Sequence, residues 1–171
     1  MDRDRFMKVL EDSFSAYYNV IHEDDIGDLP LAFRADYFSR AEKYWLSKKI
    51  TVWANETNEF AYIFSNERFD KDMVDMCVDY ALKEGLPRVK PHKEHQYTNI
   101  KVIFVADSFD EETLKYIQAK KFSKNYKFSL HGFTELKTAA ADLAVQKAYT
   151  NRAAHELTDY FRKLFAAINK Q

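Results

Sequence analysis

The chain has 171 residues, 26 of them Lys or Arg against 27 Asp or Glu, so its formal net charge is -1 and a surface devoted to coating DNA or anionic lipid is excluded. A composition that is 46% hydrophobic and 16% aromatic supports a core large enough to need no disulfides. Only three glycines occur, Gly27, Gly85 and Gly132, which excludes the glycine-rich loops that cradle phosphates or dinucleotides. The lone Cys77 fits a reducing compartment, and no apolar run approaches the ~20 residues of a membrane span. The opening Met1-Asp2-Arg3-Asp4-Arg5 has no signal-peptide pattern. A cytoplasmic protein with no membrane partner is expected.

Phe6, Leu10, Phe14, Tyr17 and Ile21 recur at helical spacing and predict an amphipathic helix over residues 2–22. The acidic patch at 23–28 reads as a solvated loop, since it lacks the twelve-residue pattern of an EF-hand. Alternation of Leu31, Phe33, Ala35 and Tyr37 predicts an extended segment, and residues 43–48 read the same way. Residues 50–65 predict a β-hairpin. With Thr57-Asn58 as a two-residue turn, Trp53 faces Tyr62, Val52 faces Ile63 and Thr51 faces Phe64. The same register sets Glu56 opposite Glu59.

Residues 70–84 predict a helix capped by Asp70, left through Gly85 in a left-handed conformation and stopped by Pro87. Val74, Cys77, Val78 and Ala81 share its inner face, so Cys77 is expected to be inert packing. After a basic loop at 87–93, residues 100–106 (IKVIFVA) carry apolar side chains on both faces and predict a central strand. Ser108-Phe109-Asp110-Glu111 forms a capping box for a helix with Leu114 and Ile117 inward. Residues 125–133 alternate, with Tyr126, Phe128 and Leu130 turned to the core, and residues 135–145 follow as an alanine-rich strand. A last helix covers 151–169, with Leu157, Phe161, Leu164 and Ile168 on one face. The expected fold is α+β: one domain over residues 1–171, a mixed or mainly antiparallel sheet of about five or six strands covered by helices, in the order helix, strands, helix, strand, helix, strand, strand, helix.

Four groups of residues could carry chemistry. Glu56 and Glu59, with Asp36, Asp107 or a histidine nearby, could share a divalent cation. The opening order of helix, three strands, helix and strand resembles the core of restriction-endonuclease-like nucleases. That family places an acid on the second core strand and an acidic-x-Lys triplet on the third. Glu56 and then Glu59-Phe60-Ala61 offer the acids, but the triplet's lysine is missing and no Pro-Asp element precedes it. His92 and His95, near His131 and Asp107, have a spacing that could hold zinc with a carboxylate such as Glu59; hydrogen-bonded surface imidazoles are the simpler alternative. Lys115, Lys120, Lys121, Lys124 and Lys127 interleave with Tyr116, Phe122, Tyr126 and Phe128, with no acid between Thr113 and Thr134. Such a run could bind single-stranded nucleic acid, although burial of Tyr126 and Phe128 and the lack of arginine favour a solvated basic edge. Ser129 with His131 and Asp107 lacks the elbow of a hydrolase triad.

The segments TVWANETNEFAYIF, KPHKEHQYTNIKVIFVAD, KNYKFSLHGF and YTNRAAHEL resemble a family of small, uncharacterised single-domain prokaryotic proteins over most of the chain. The resemblance implies a stand-alone domain and brings no activity with it. The expected function is therefore that of a small cytoplasmic interaction or ligand-binding domain without catalysis, needing no cofactor. The alternative is a divergent metal-dependent nuclease or phosphodiesterase, with a divalent metal as its cofactor. Whether the chain is an enzyme stays open. Nucleic acid is allowed as a partner but not favoured, and Leu157, Phe161, Leu164 and Phe165 allow a homodimer through the last helix.

Overall fold

A computed structural model describes residues 1–23, 27–44 and 51–170, and the side chains of all of these except 42–44 and 51–53. The expected loop at 24–26, most of the extended reading at 43–48 and the side chain of Trp53 lie outside the described residues. Among the described residues there are four α-helices and a seven-stranded mixed sheet, an α+β arrangement.

Helix α1 (Arg3–Ser15) starts where the Asp2 carboxylate accepts from the Arg5 amide at 2.8 Å. It stops short of the expected end at residue 22. Asn19–Ile21 instead forms strand β1, where β-branched Val20 and Ile21 pair with Ala35 and Arg34 of β2 (Leu31–Tyr44). Strand β3 (Thr51–Asn66) pairs antiparallel with β2, and Tyr37 stands opposite Glu59. The two-residue turn expected at Thr57-Asn58 is therefore corrected: the hairpin is β2 with β3, and residues 57 and 58 sit inside an unbroken strand. Two-residue hairpin turns require positive φ at the first central position (type II′) or at both (type I′), which β-branched Thr57 resists. Glu56 and Glu59, three apart on one strand, point to opposite faces of the sheet.

Helix α2 (Lys71–Gly85) carries the chain over the sheet to β4 (His95–Ala106), which lies parallel to β3. Asp70 caps it as expected, accepting from the Met73 amide at 2.8 Å. Gly85, however, stays right-handed (φ -77°) and runs into a 3-10 turn at Leu86–Arg88. Its smallness serves packing instead, because a Cβ there would meet Ile100 Cδ1 at 2.9 Å. Helix α3 (Glu111–Ala119) is capped by Asp110 rather than by the expected Ser108.

Strand β5 (Ser123–Asn125) is short, and residues 126–132 form a turn in place of the predicted strand. Lys127, Phe128, Ser129 and Gly132 all have positive φ there. Phe128 and Leu130 consequently leave the core; they are 99% and 76% exposed. Strand β6 (Phe133–Asp142) runs parallel to β4, and β5 and β7 (Lys147–Thr150) share its outer edge. The sheet order is β1-β2-β3-β4-β6, with β5 and β7 beyond.

Helices cover both faces. On one, α1 and α4 (His155–Ile168) pack Phe6, Phe14, Leu157, Phe161 and Phe165 against Phe33, Ala61, Ile63, Ile103, Val105, Ala139 and Ala141. On the other, α2 and α3 pack Val74, Cys77, Ala81 and Ile117 against Tyr62, Phe64, Val102, Phe104 and Leu136. Cys77 is fully buried, and burial pushes its thiol up to about 12, so it stays a neutral packing group. Leu157, Phe161, Leu164 and Phe165, the face expected to offer a dimer contact, are consumed by the chain's own core. No helix among the described residues is long and apolar enough to cross a membrane.

Candidate functional site

On the face under α1 and α4, the parallel strands change character along their length. Alternation places Glu59 of β3, Asn99 and Lys101 of β4, and Glu135 and Lys137 of β6 on that one face. The register brings them side by side: Glu59 beside Asn99 beside Glu135, and Ala61 beside Lys101 beside Lys137.

Lys101 is the centre of this cluster. Its side chain is only 7% exposed, and its Nζ donates to Glu59 Oε2 at 2.6 Å and to the Tyr18 hydroxyl at 3.2 Å. Tyr18, just beyond α1, donates its own hydroxyl to the same carboxylate oxygen, and Asn99 Nδ2 donates to Glu59 Oε1 at 3.3 Å. Burial would raise the Glu59 carboxyl, but the Lys101 charge and the three donors outweigh it and hold the group below its ordinary value. Burial first, and then the bond to anionic Glu59, raise Tyr18, so its hydroxyl remains a neutral donor. Nearby, Lys137 Nζ pairs with Glu156 of α4 at 2.6 Å.

Two hollows meet at this cluster and share Glu156. One, of about 320 Å³, is walled by Phe14, Tyr17, Tyr18, Leu157 and Tyr160, with Lys101 at its inner end. The other, of about 380 Å³, is lined by Glu59, Tyr97, Asn99, Phe133, Glu135 and Lys137. Together they form an open cleft with an aromatic half and a charged half. Glu59, Glu135 and Glu156 against Lys101 and Lys137 leave it one net negative charge, and Glu135 meets no cation within ion-pair distance among the described residues.

Of the residues singled out from sequence, Glu56, His92, His95 and the His131 backbone come together, with the two imidazole rings 6.3 Å apart, while Glu59 and Asp107 do not join them. Glu56 faces the opposite side, held by Arg40 and by His92, whose Nε2 lies 2.7 Å from Glu56 Oε2. Burial pushes the Glu56 carboxyl up, but the Arg40 and His92 bonds bring it below its ordinary value. Asp36 is tied to Arg88, whose guanidinium stacks 3.9 Å from the Phe60 ring. His95 is buried, with Nδ1 donating to the His131 carbonyl at 2.7 Å and Nε2 lying 2.9 Å from Thr98 Oγ1. Asp107 pairs with Arg3 past the far end of β4, so it meets neither His131 nor His95. His92, His95 and Glu59 are thus not brought to one point. Among the described residues no group of three or more His, Cys, Asp or Glu could hold a metal ion. Lys120 is bound to Asp75 and stacked 3.9 Å from Tyr116, whereas Lys121, Lys124 and Lys127 are exposed.

Tyr18, Lys101, Glu135, Lys137 and Glu156 escaped the sequence reading. One signal was available: a lysine inside IKVIFVA, a strand apolar on both faces, needs a buried partner.

The fold and the cleft define an α+β domain built on an open mixed sheet, with a charged floor exposed beyond its covering helices. The chain belongs to the family described as Domain of unknown function (DUF8052), whose model matches residues 2–163. No match is found among curated proteins or among solved structures.

Proposed function

We propose that this is a cytoplasmic ligand-binding domain that works without catalysis, and that its site is the cleft over Tyr18, Glu59 and Lys101. The observation that carries this reading is the buried Lys101–Glu59 pair at the seam of the two hollows. A buried ion pair is a weak stabiliser, because desolvation offsets most of its Coulomb gain, and hydrocarbon of equal volume does as well or better. Hydrocarbon fills the same face a few residues further along. A charged floor beside an aromatic wall suits an organic molecule with an aryl body and a polar head. The single net negative charge favours a cationic head.

Three phenols test this by amide-resolved NMR titration of the full chain: tyramine (cationic head), 4-ethylphenol (neutral) and 4-hydroxyphenylacetate (anionic). Tyramine should shift the amides of Tyr18, Asn99, Lys101 and Tyr160 most, and Glu135→Gln should weaken it. If none of the three produces shifts confined to the cleft at millimolar concentration, the proposal fails.

One observation favours a second reading. Ala61 occupies the lysine position of an acidic-x-Lys triplet, and its register neighbour is Lys101, so a lysine reaches Glu59 from the adjacent strand. This would suit a divergent metal-dependent nuclease. Against it, Tyr37 rather than a carboxylate stands opposite Glu59 on β2. A rise in melting temperature with Mg²⁺, Mn²⁺ or Zn²⁺ that vanishes in Glu59→Gln would put the nuclease reading first.

A further inference from the structure

Between Thr113 and Thr134 the chain carries five lysines and no acid, while its net charge overall is -1, so the rest of the molecule is acidic. The structure sorts them. Lys115 pairs with Glu111 at 2.6 Å and Lys120 with Asp75. Among the described residues, Lys121, Lys124, Lys127 and Arg152 meet no carboxylate within ion-pair distance. These four follow one edge of the fold. Arg152 and Lys121 border a hollow of about 590 Å³ together with Gln118, Lys120, Ser123 and Asn151, and one carboxylate, Glu135, lines it against these cations. Lys124 lies on β5, which pairs only with β6 among the described residues and so leaves its other side open. Lys127 follows in the turn, next to Phe128.

The turn is built to hold Phe128 outward. Its backbone closes through Tyr126 N to Gly132 O at 3.0 Å and Leu130 N to Lys127 O at 3.0 Å. Gly132 has φ +75°, and a Cβ there would meet the carbonyls of His95 and Gln96 at 2.5 Å, so only glycine lets the turn sit down on β4. Buried His95 fastens it by donating to the His131 carbonyl. Left-handed backbone at Lys127, Phe128 and Ser129 is costly for residues with side chains, and the Phe128 ring, 99% exposed, makes no core contact that offsets it. Of the two objections that the sequence raises, burial of Tyr126 and Phe128 and the lack of arginine in the run, the first does not hold for Phe128, which is presented to solvent, and Arg152 adds an arginine from outside the run.

We propose that this edge binds single-stranded nucleic acid, with Lys121, Lys124, Lys127 and Arg152 on its phosphates and Phe128 stacked on a base. Unpaired cations along an open edge neutralise successive phosphates, and an exposed aromatic ring supplies the sequence-tolerant stacking such sites use. The cations extend from the turn to the hollow instead of ringing the tip. A strand of polyanion fits that layout better than a bilayer, which would meet only the turn with Lys127, Phe128 and Leu130 and leave Lys121 and Arg152 unused. This surface adjoins the cleft at Glu135, which lines both hollows, but its cations and Phe128 take no part in the cleft, and it goes beyond the function proposed there.

Fluorescence anisotropy of the full chain with labelled oligo-dT and oligo-U of about 15 nucleotides provides the test. With three or four phosphates engaged, affinity should fall roughly twentyfold to fiftyfold between about 50 and about 200 mM salt. Phe128→Ala should weaken binding about tenfold while leaving the melting temperature unchanged, since the ring supports nothing in the fold. Lys124→Glu with Lys127→Glu should abolish it. The proposal is overturned by absence of binding at low salt, by equal binding of Phe128→Ala and wild type, or by Phe128-dependent capture on phosphatidylserine vesicles with no oligonucleotide binding.

Discussion

Toward the ends of β3, β4 and β6, the face under α1 and α4 carries Ile63, Ile103, Val105, Ala139 and Ala141, all fully buried. A few residues earlier on the same strands it carries Glu59, Asn99, Lys101, Glu135 and Lys137. Backbone geometry and strand pairing are shared by the two regions, but α1 and α4 cover the first fully and only border the second, where an open hollow reaches the strands. The first region is held by apolar area removed from water, and every side chain there serves stability. In the second, buried charge must be compensated residue by residue, and the compensation yields little net stability. The contrast separates the part of the sheet that makes the domain from the part that gives it something to bind.

Substitutions in the two regions should behave differently, and the largest effect is expected where hydrocarbon is lost. Phe161→Ala, which empties space beside Phe6, should cost about 3–5 kcal/mol in urea unfolding. At the charged end, Lys101→Met alone should cost about 3 kcal/mol, because it leaves the Glu59 carboxylate without its cation. Gly132→Ala should cost about 2 kcal/mol or more, through left-handed strain and the two carbonyls in the way, and calorimetry would register it as a lowered melting temperature.

Acid should act in opposite directions on wild type and Lys101→Met. In the wild type the Glu59 carboxyl lies below its unfolded value, so its contribution is complete above a pH of about 4.3 and is lost as pH falls through the folded value. In Lys101→Met the uncompensated carboxyl is raised. Stability that burial removes at neutral pH should then return as the solution is acidified through that raised value. Melting curves taken from neutral pH down to the acid limb would show the two trends diverging. A parallel decline in both proteins would mean that Glu59 is not coupled to Lys101.

Much of the stable region was legible in the chain. Asp70 announced α2, IKVIFVA announced a strand covered on both faces, and the alanines at 139–141 announced close packing under a helix. Those signals are local, written within one element's own period. The cleft is not local. Lys101 meets Glu59 only because β3 and β4 pair in parallel across α2, and Tyr18 joins them only because α1 ends early enough for β1 to form. The Thr57-Asn58 turn failed for a related reason: β3 is apolar on both faces over half its length, and in that pattern a long central strand and a folded hairpin look alike. At 126–132, alternation of Tyr126, Phe128 and Leu130 imitated a strand, while the decisive contact, Gly132 against the His95 and Gln96 carbonyls, lay across the sheet.

The most direct measurement is a double-mutant cycle on Glu59→Gln and Lys101→Met, read by urea unfolding and by the tyramine titration together. If the charged floor exists to bind, the double variant should recover to within about 1 kcal/mol of wild type while losing the cleft shifts. A double variant that stays as unstable as Lys101→Met alone, yet still binds tyramine, would show that the ion pair belongs to the core and that the ligand site lies elsewhere.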